Sequence, residues 1–430
     1  MIELIIRYWL FIILIFLPFQ RKIVKILLPV SREAGNFISY LDEITVIIFI
    51  PLAVLKFYRK REFPDRLFMI LLSPIIIFSI SGLVSGLSNG NSIFITSLGI
   101  FDYVKNFLVL FIYASFIRDI KDFKKLFNIL LMVAVALGFI AISQELWALS
   151  GRYVLRVYSN LDDQSWRLGV YRTTSLMHNP NVFGLYCLVI LTIYLSISDK
   201  PRYLFSLSLI SGILTSVSRI AYTGLMILGV SQLQKRRWFI WILIPLIIIM
   251  IAIFSIEDVN LLKHLNLEKQ LLLYGNEELI RFRNATRDTA LIIWRDHFFL
   301  GAGPGTYGGK VSLRYNSTLY KKYGLSEEFI DYARNFGSID QFWPQILAEC
   351  GIVGTLAFAS LFISLTVVLL ILKIWSSSEE ISGLFTGLVI ITLIIFIYSL
   401  YTGLNITSIL FTYSAIAGMA IGSESRHYYK

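Results

Sequence analysis

Glu277-Glu278-Leu279-Ile280-Arg281-Phe282-Arg283-Asn284-Ala285-Thr286-Arg287-Asp288 lies inside the one long polar interruption, residues 256–343, of a chain that is otherwise almost continuously apolar. Charge at this density cannot continue a membrane helix, and the apolar runs on either side cannot remain in water. Of 430 residues, 56% are hydrophobic and only 16% charged, a balance that excludes an ordinary soluble domain. The expected architecture is an all-α polytopic integral membrane protein. Residues 1–430 form a single membrane domain, and 256–343 a large outer loop that caps it.

Working outward from that loop, 12 apolar runs of about helix-spanning length are expected as transmembrane helices. They lie near 2–19, 38–58, 66–88, 95–118, 126–147, 180–198, 202–218, 219–233, 237–255, 344–373, 382–401 and 404–422. The large loop then falls between spans nine and ten. The first run contains Arg7 and is followed by no small-residue cleavage site, so it reads as a retained helix.

Basic residues gather at Lys56, Arg59, Lys60, Arg61 and Arg66, and again at 118–125, 200–202 and 235–237. These are alternate turns, which the positive-inside rule assigns to the cytoplasm. Both termini are then cytoplasmic, and 148–179 and 256–343 face outward. Arg21, Lys22, Lys25 and Arg32 break the pattern after the first span. The net charge of +11 is accounted for by topology, so no nucleic-acid partner is implied. Cys187 and Cys350 fall in apolar runs and support neither a disulfide framework nor a thiolate metal site.

The large loop has helical patterning of its own. Residues 258–273 set Leu261, Leu262, Leu265, Leu271, Leu272 and Leu273 among charges, as an interfacial helix does. A second helix is expected over 277–297, opened by two acids. Gly301-Ala302-Gly303-Pro304-Gly305 breaks it. No strand precedes these glycines, so they are no dinucleotide fingerprint, and they read as a tight turn returning the chain toward the bilayer.

Arg219, in Thr215-Ser216-Val217-Ser218-Arg219, stands at the outer end of two tightly joined spans. An arginine there either snorkels to the headgroups or binds an anion beneath the loop. Arg283 and Arg287, four apart, share one helix face, while Arg281 points elsewhere. Paired guanidiniums can grip a diphosphate with a geometry lysine lacks. They can equally form a solvated face, since Asp288, Glu277 and Glu278 are at hand and the loop holds 11 acids and 11 bases.

The smaller loop adds Arg152, Arg156, Arg167 and Arg172, and ends in His178-Asn179-Pro180-Asn181. Asn179 reads as an N-cap before a first-turn proline, opening span six with amide groups suited to an anion. Asp340 precedes an apolar run at the membrane surface and is the candidate base. Glu349 lies deeper, where a structural hydrogen-bonding role fits. The four histidines show no metal-ligand spacing, so no metal and no cofactor is expected.

The run Asp296-His297-Phe298-Phe299-Leu300-Gly301-Ala302-Gly303-Pro304-Gly305 is followed by a tyrosine-rich segment. It closes with Asp340-Gln341-Phe342-Trp343-Pro344-Gln345-Ile346-Leu347-Ala348-Glu349-Cys350-Gly351-Ile352-Val353-Gly354. In order and spacing this resembles the O-antigen ligase and O-antigen polymerase superfamily. Residues 172–184 and 216–219 fit the same pattern.

The resemblance implies a metal-independent glycosyltransferase of the bacterial inner membrane, acting on its outer face. Its donor and acceptor would be undecaprenyl-diphosphate-linked oligosaccharides, and a chain-length regulator protein is an expected partner. Arg219 matches the arginine at the helix mouth, Arg283 the arginine on the loop helix, and Asp340 the position of the base. Arg287, Arg172, Arg281 and Asn181 join the substrate-binding set, and Tyr315 is among the loop tyrosines suited to stacking on sugar rings.

Arg287 departs from the pattern, since the family often carries an aromatic residue there. Asp340 departs from the histidine usual in ligases, which favours a polymerase joining repeat units over a ligase moving a finished glycan. A flippase or other transporter is the alternative from another class. Transporters usually show related halves and midplane charges. Here charges collect at one face, with Asp102 and Lys105 the main exception.

Overall fold

The computed structural model describes residues 2–60, 65–117, 119–150, 166–167, 170–177, 179–233, 273–336, 339, 341–376, 378–404 and 407–425. The long apolar runs become helices because only a helix satisfies every backbone group without water. They are α1 (Ile2–Phe16), α2 (Gln20–Leu27), α3 (Arg32–Ser39), α4 (Leu41–Lys60), α5 (Asp65–Ser88), α6 (Ile93–Phe116) and α7 (Ile120–Leu149). Then come α8 (Pro180–Ile197), α9 (Tyr203–Thr215) and α10 (Arg219–Gln232). The large loop contributes α11 (Leu273–Asp296), α12 (Lys310–Arg314), α13 (Thr318–Lys322) and α14 (Glu327–Phe336). The chain closes with α15 (Phe342–Trp375), α16 (Glu379–Tyr401) and α17 (Thr407–Ser425). In the smaller loop, two-residue strands Trp166–Arg167 and Val170–Tyr171 pair antiparallel.

The fold is helical and the chain is a multi-pass membrane protein, but the described helices show fewer crossings than the twelve expected. Six are long and apolar enough to cross a bilayer, or seven if α3 and α4, bent by 48°, make one span. For three of the expected spans the shortfall is one of length. Helices α1, α9 and α10 have 15, 13 and 14 residues, about 20–23 Å at ~1.5 Å per residue. A hydrocarbon core is about 30 Å thick. The expected span 237–255 and the expected interfacial helix 258–273, apart from Leu273 at the start of α11, lie outside the described residues. The second loop helix is present as α11.

Packing follows small residues and apolar stripes. Helix α17 lies close on α6, where β-carbons on Gly418 and Gly422 would come within 2.3 Å of Leu110 O and 2.6 Å of Ala114 O. Helix α15 packs between α5 and α16, and α11 lies against α15. The opposite stripe of α15, with Leu356, Ile363 and Leu370, stays exposed, as a lipid-facing surface should.

One end of the bundle is closed by ion pairs: Arg7 with Asp122 (3.2 Å), Lys56 with Glu3, and Lys124 with Glu380 (2.8 Å). The other end carries the large loop. Toward that end, Lys105 is 3% exposed and pairs with Asp102 (2.7 Å) and Glu43 (2.8 Å), the latter in the first turn of α4. The Asp102 and Lys105 exception noted in the sequence is thus an internal ion-paired cluster tying α4 to α6.

Candidate active site

The loop does not merely turn at its glycines; it enters the bundle. Helix α15 breaks at Gly351 (φ 60°, ψ −168°), leaving backbone groups in the apolar layer without helical partners. Residues 298–303 supply them. Ala302 N–H donates to Ala348 O (2.9 Å) and Gly303 N–H to Glu349 O (2.8 Å). In return, Ile352 N–H donates to Phe298 O (3.0 Å) and Val353 N–H to Phe299 O (3.1 Å). The end of α5 and the turn after it grip the same segment: Ser85 Oγ and Asn89 Nδ2 donate to Gly301 O, and Asn91 Nδ2 to Ala302 O.

Glu349, 1% exposed, fixes the far side of this insertion. Its Oε1 accepts from the Tyr307 amide (2.7 Å) and its Oε2 from the Tyr103 hydroxyl (2.6 Å). Gln345 Nε2 donates to that same hydroxyl (3.0 Å). Tyr307 in turn donates its hydroxyl to Thr286 O (2.6 Å), so α6, α15, the inserted loop and α11 become one hydrogen-bonded unit. The structural role expected of Glu349 is what the geometry displays.

Arg283 is half-buried on α11, and Thr286 bonds back to its carbonyl (2.9 Å). One turn on, Arg287 is exposed and pairs with Asp288 at 3.1 Å, the solvated arrangement weighed from the sequence. The Arg281 side chain and Asp340 lie outside the described residues.

A second cluster surrounds Arg219. The chain reverses between α9 and α10 through Val217 (φ 44°), and Ser218 caps α10 by accepting from Ala221 N–H (3.4 Å). Arg219 is therefore the first residue of a helix, half-buried. Arg172, almost fully buried, braces this reversal: Nε donates to Ser216 O (3.3 Å) and Nη2 to Asn181 Oδ1 (2.7 Å). Asn179 caps α8 through the Asn181 amide (2.8 Å), as its place before Pro180 predicts. Arg172 and Asn181 thus hold one another and the turn that presents Arg219.

Residues 204–359 match the family described as O-Antigen ligase. The chain carries an O-antigen ligase family domain. No curated protein matches the chain. The family makes it a membrane glycosyl-transfer enzyme of the ligase or polymerase type, acting in polysaccharide biosynthesis on lipid-linked glycans.

The ligase-family domain runs from α9 into α15, so it contains Arg219, Arg283, both halves of the Gly301–Gly351 contact and Glu349. The residues that brace it lie upstream: Arg172, Asn181, Tyr103, Ser85, Asn89 and Asn91. Sequence reading missed the last four. Asn89-Gly90-Asn91, a polar turn between two apolar helices, was the available signal.

Tyr315 stands apart from both clusters. It is 41% exposed, edge-on to Phe94 at 6.0 Å, with the Arg314 guanidinium 5.9 Å from its ring. Near the end of α11, burial holds the His297 imidazole below its ordinary range, helped by Lys322 and opposed by Asp296. Burial and the Asp296 carboxylate, which accepts from its hydroxyl at 2.7 Å, push Tyr323 up to about 12. Among the described residues no group of three His, Cys, Asp or Glu side chains is placed to hold a metal ion.

Proposed function

We propose that the ligase-family domain works as a polymerase, joining undecaprenyl-diphosphate-linked oligosaccharide repeats into O-antigen, capsular or exopolysaccharide. The observation that carries the reading is the setting of Arg219. A guanidinium at the first position of a helix adds its charge to the positive end of the helix dipole, which opposes it by about 0.3–1 kcal/mol. An anion at that point relieves both, and Arg172 holds the turn rigid for it. A lipid diphosphate is the anion that a membrane glycosyltransferase must accommodate.

In this mechanism the acceptor hydroxyl oxygen bonds to the donor anomeric carbon as the bond from that carbon to the diphosphate oxygen breaks. The electron pair leaves with the lipid diphosphate, where Arg219 and Arg283 stabilise the growing charge. Each well-placed donor of this kind is commonly worth about 2.7–4 kcal/mol. Asp340 takes the hydroxyl proton, and a single displacement inverts the anomeric centre. Arg287, Arg172, Arg281 and Asn181 complete the substrate-binding set, with Tyr315 against the glycan. An aspartate in place of the ligases' histidine supports the polymerase over the ligase.

The site opens on the loop face, which we assign to the periplasmic side of the bacterial inner membrane, with 256–343 and 148–179 as its cover. The full set of 12 spans, both termini in the cytoplasm and a chain-length regulator as partner belong to the same proposal. Deleting the chain in its host and separating the surface glycan on a gel tests it. Loss of a polymerase leaves single repeats attached; loss of a ligase leaves none attached and polymer still on the carrier lipid. Arg219→Lys, Arg283→Lys and Asp340→Asn should each abolish chain growth at normal protein level. Normal ladders from all three would remove the site.

A further inference from the structure

Helices α2 and α3 form a hairpin that the transfer reaction does not use. It is a built element. Gln20 Nε2 donates to Ile38 O (2.9 Å), Ser39 O (3.3 Å) and Asp42 Oδ1 (2.9 Å), pinning the start of α2 to the junction of α3 and α4. Gly35 seats against Leu28, and Ser31 caps α3 through Ala34 N–H (3.2 Å). The outward side mixes exposed Ile26, Val30 (82%) and Phe37 with exposed Arg21, Lys25 and Arg32. Apolar side chains interleaved with cations on short helices are the composition of an element lying in the headgroup layer.

The hairpin lies on the same face as the large loop. The Arg314 guanidinium bonds the Tyr40 hydroxyl and sits 5.6 Å from its ring, and Lys310 of α12 is within electrostatic reach of Arg21. The ion pairs of Arg7, Lys56 and Lys124 are at the opposite end. Residues 20–39 carry four cations against one acid, Glu33. If the loop face is the translocated one, these cations oppose the charge rule that orients the rest of the chain. A cost of that kind calls for a function on that face.

We propose that the α2–α3 hairpin docks the diphosphate head group of a second lipid-linked substrate, the acceptor. The inference rests on the polymerase reading, in which two polyprenyl diphosphates meet on one face and the donor's occupies Arg219 and Arg283. The acceptor's diphosphate must then be held at headgroup depth by other cations. Exposed Arg21, Lys25 and Arg32 supply those cations, and exposed Ile26, Val30 and Phe37 supply apolar contacts for the lipid tail. Complementary charge and an interfacial setting select a lipid diphosphate over a soluble anion.

The test uses the full chain in nanodiscs of zwitterionic lipid, titrated with undecaprenyl diphosphate and followed by native mass spectrometry. Wild type should bind two lipid diphosphates. The triple variant Arg21→Gln/Lys25→Gln/Arg32→Gln should keep one and lose affinity for the other on the order of a hundredfold, from roughly a factor of five per cation. Arg219→Lys should weaken the complementary site. A charge-retaining variant, Arg21→Lys/Arg32→Lys, should keep both, which separates charge loss from misfolding. Two diphosphates still bound at unchanged affinity in the triple variant would overturn the proposal. So would displacement of the second diphosphate by phosphatidylglycerol, since the hairpin would then be a general anionic-lipid surface. Two diphosphates bound by a wild-type chain that joins no glycans would instead sink the polymerase reading alone.

Discussion

Gly301 and Gly351 meet backbone to backbone. A β-carbon on Gly351 would lie 2.5 Å from the Gly301 nitrogen, and one on Gly301 would lie 2.4 Å from the Gly351 nitrogen. Both residues have positive φ, 76° and 60°. Gly351→Ala and Gly301→Ala should therefore each destabilise the chain. Overpacking contributes about 1–3 kcal/mol, and the left-handed backbone about 1–2 kcal/mol more. Thermal unfolding in detergent reads this directly, and an unchanged melting temperature would mean the loop does not dock into the break of α15.

Glu349 accepts from two buried donors, so its removal leaves both unanswered. Glu349→Ala should cost about 1–3 kcal/mol for each orphaned group, while Tyr103→Phe removes one donor and should cost less. Proteolysis of the large loop should accelerate in the same order. Equal resistance in wild type and Glu349→Ala would break the link between this carboxylate and loop insertion.

Arg172 and Asn181 should behave as a coupled pair. Arg172→Gln and Asn181→Ala each release the turn before Arg219, so the double variant should lose less than the sum of the singles. A coupling of roughly 0.5–3 kcal/mol is expected for groups sharing a hydrogen bond. Additive losses in glycan transfer would show that each side chain acts separately.

Arg287 faces water beside Asp288. Arg287→Ala should change stability by less than about 0.5 kcal/mol, the usual yield of an exposed pair. A fall in transfer rate without a fall in melting temperature would then report substrate contact. A large loss of stability would contradict the exposed geometry.

His297 makes stability pH-dependent with a defined sign. Its unfolded imidazole titrates near 6.5, and the folded one lower. Between those values the unfolded chain holds more protons, so stability is full above the unfolded value and declines as pH falls through the window below it. His297→Gln should flatten that acid-side decline in melting temperature. Parallel pH profiles for wild type and variant would exclude the histidine.

Much of this was legible without coordinates. The Asn179 cap, the loop helix near 277–297 and the pairing of Arg287 with Asp288 all rest on local rules. Those rules act within a turn or two of chain. Span counting was less secure, because apolar composition shows that a segment avoids water but not that it is one straight crossing. Helices α9 and α10 illustrate this: both are apolar, yet at 13 and 14 residues neither is long enough for one straight crossing.

The sequence by itself determined the medium, the helical class and the family domain, since hydropathy and motif spacing are properties of the chain read in order. Only the tertiary structure decided that Gly301-Ala302-Gly303 repairs the broken backbone at Gly351, and that Arg172 serves the turn of Arg219. Hydrogen bonds between distant segments depend on which surfaces the helices bring together, and no local pattern encodes that choice.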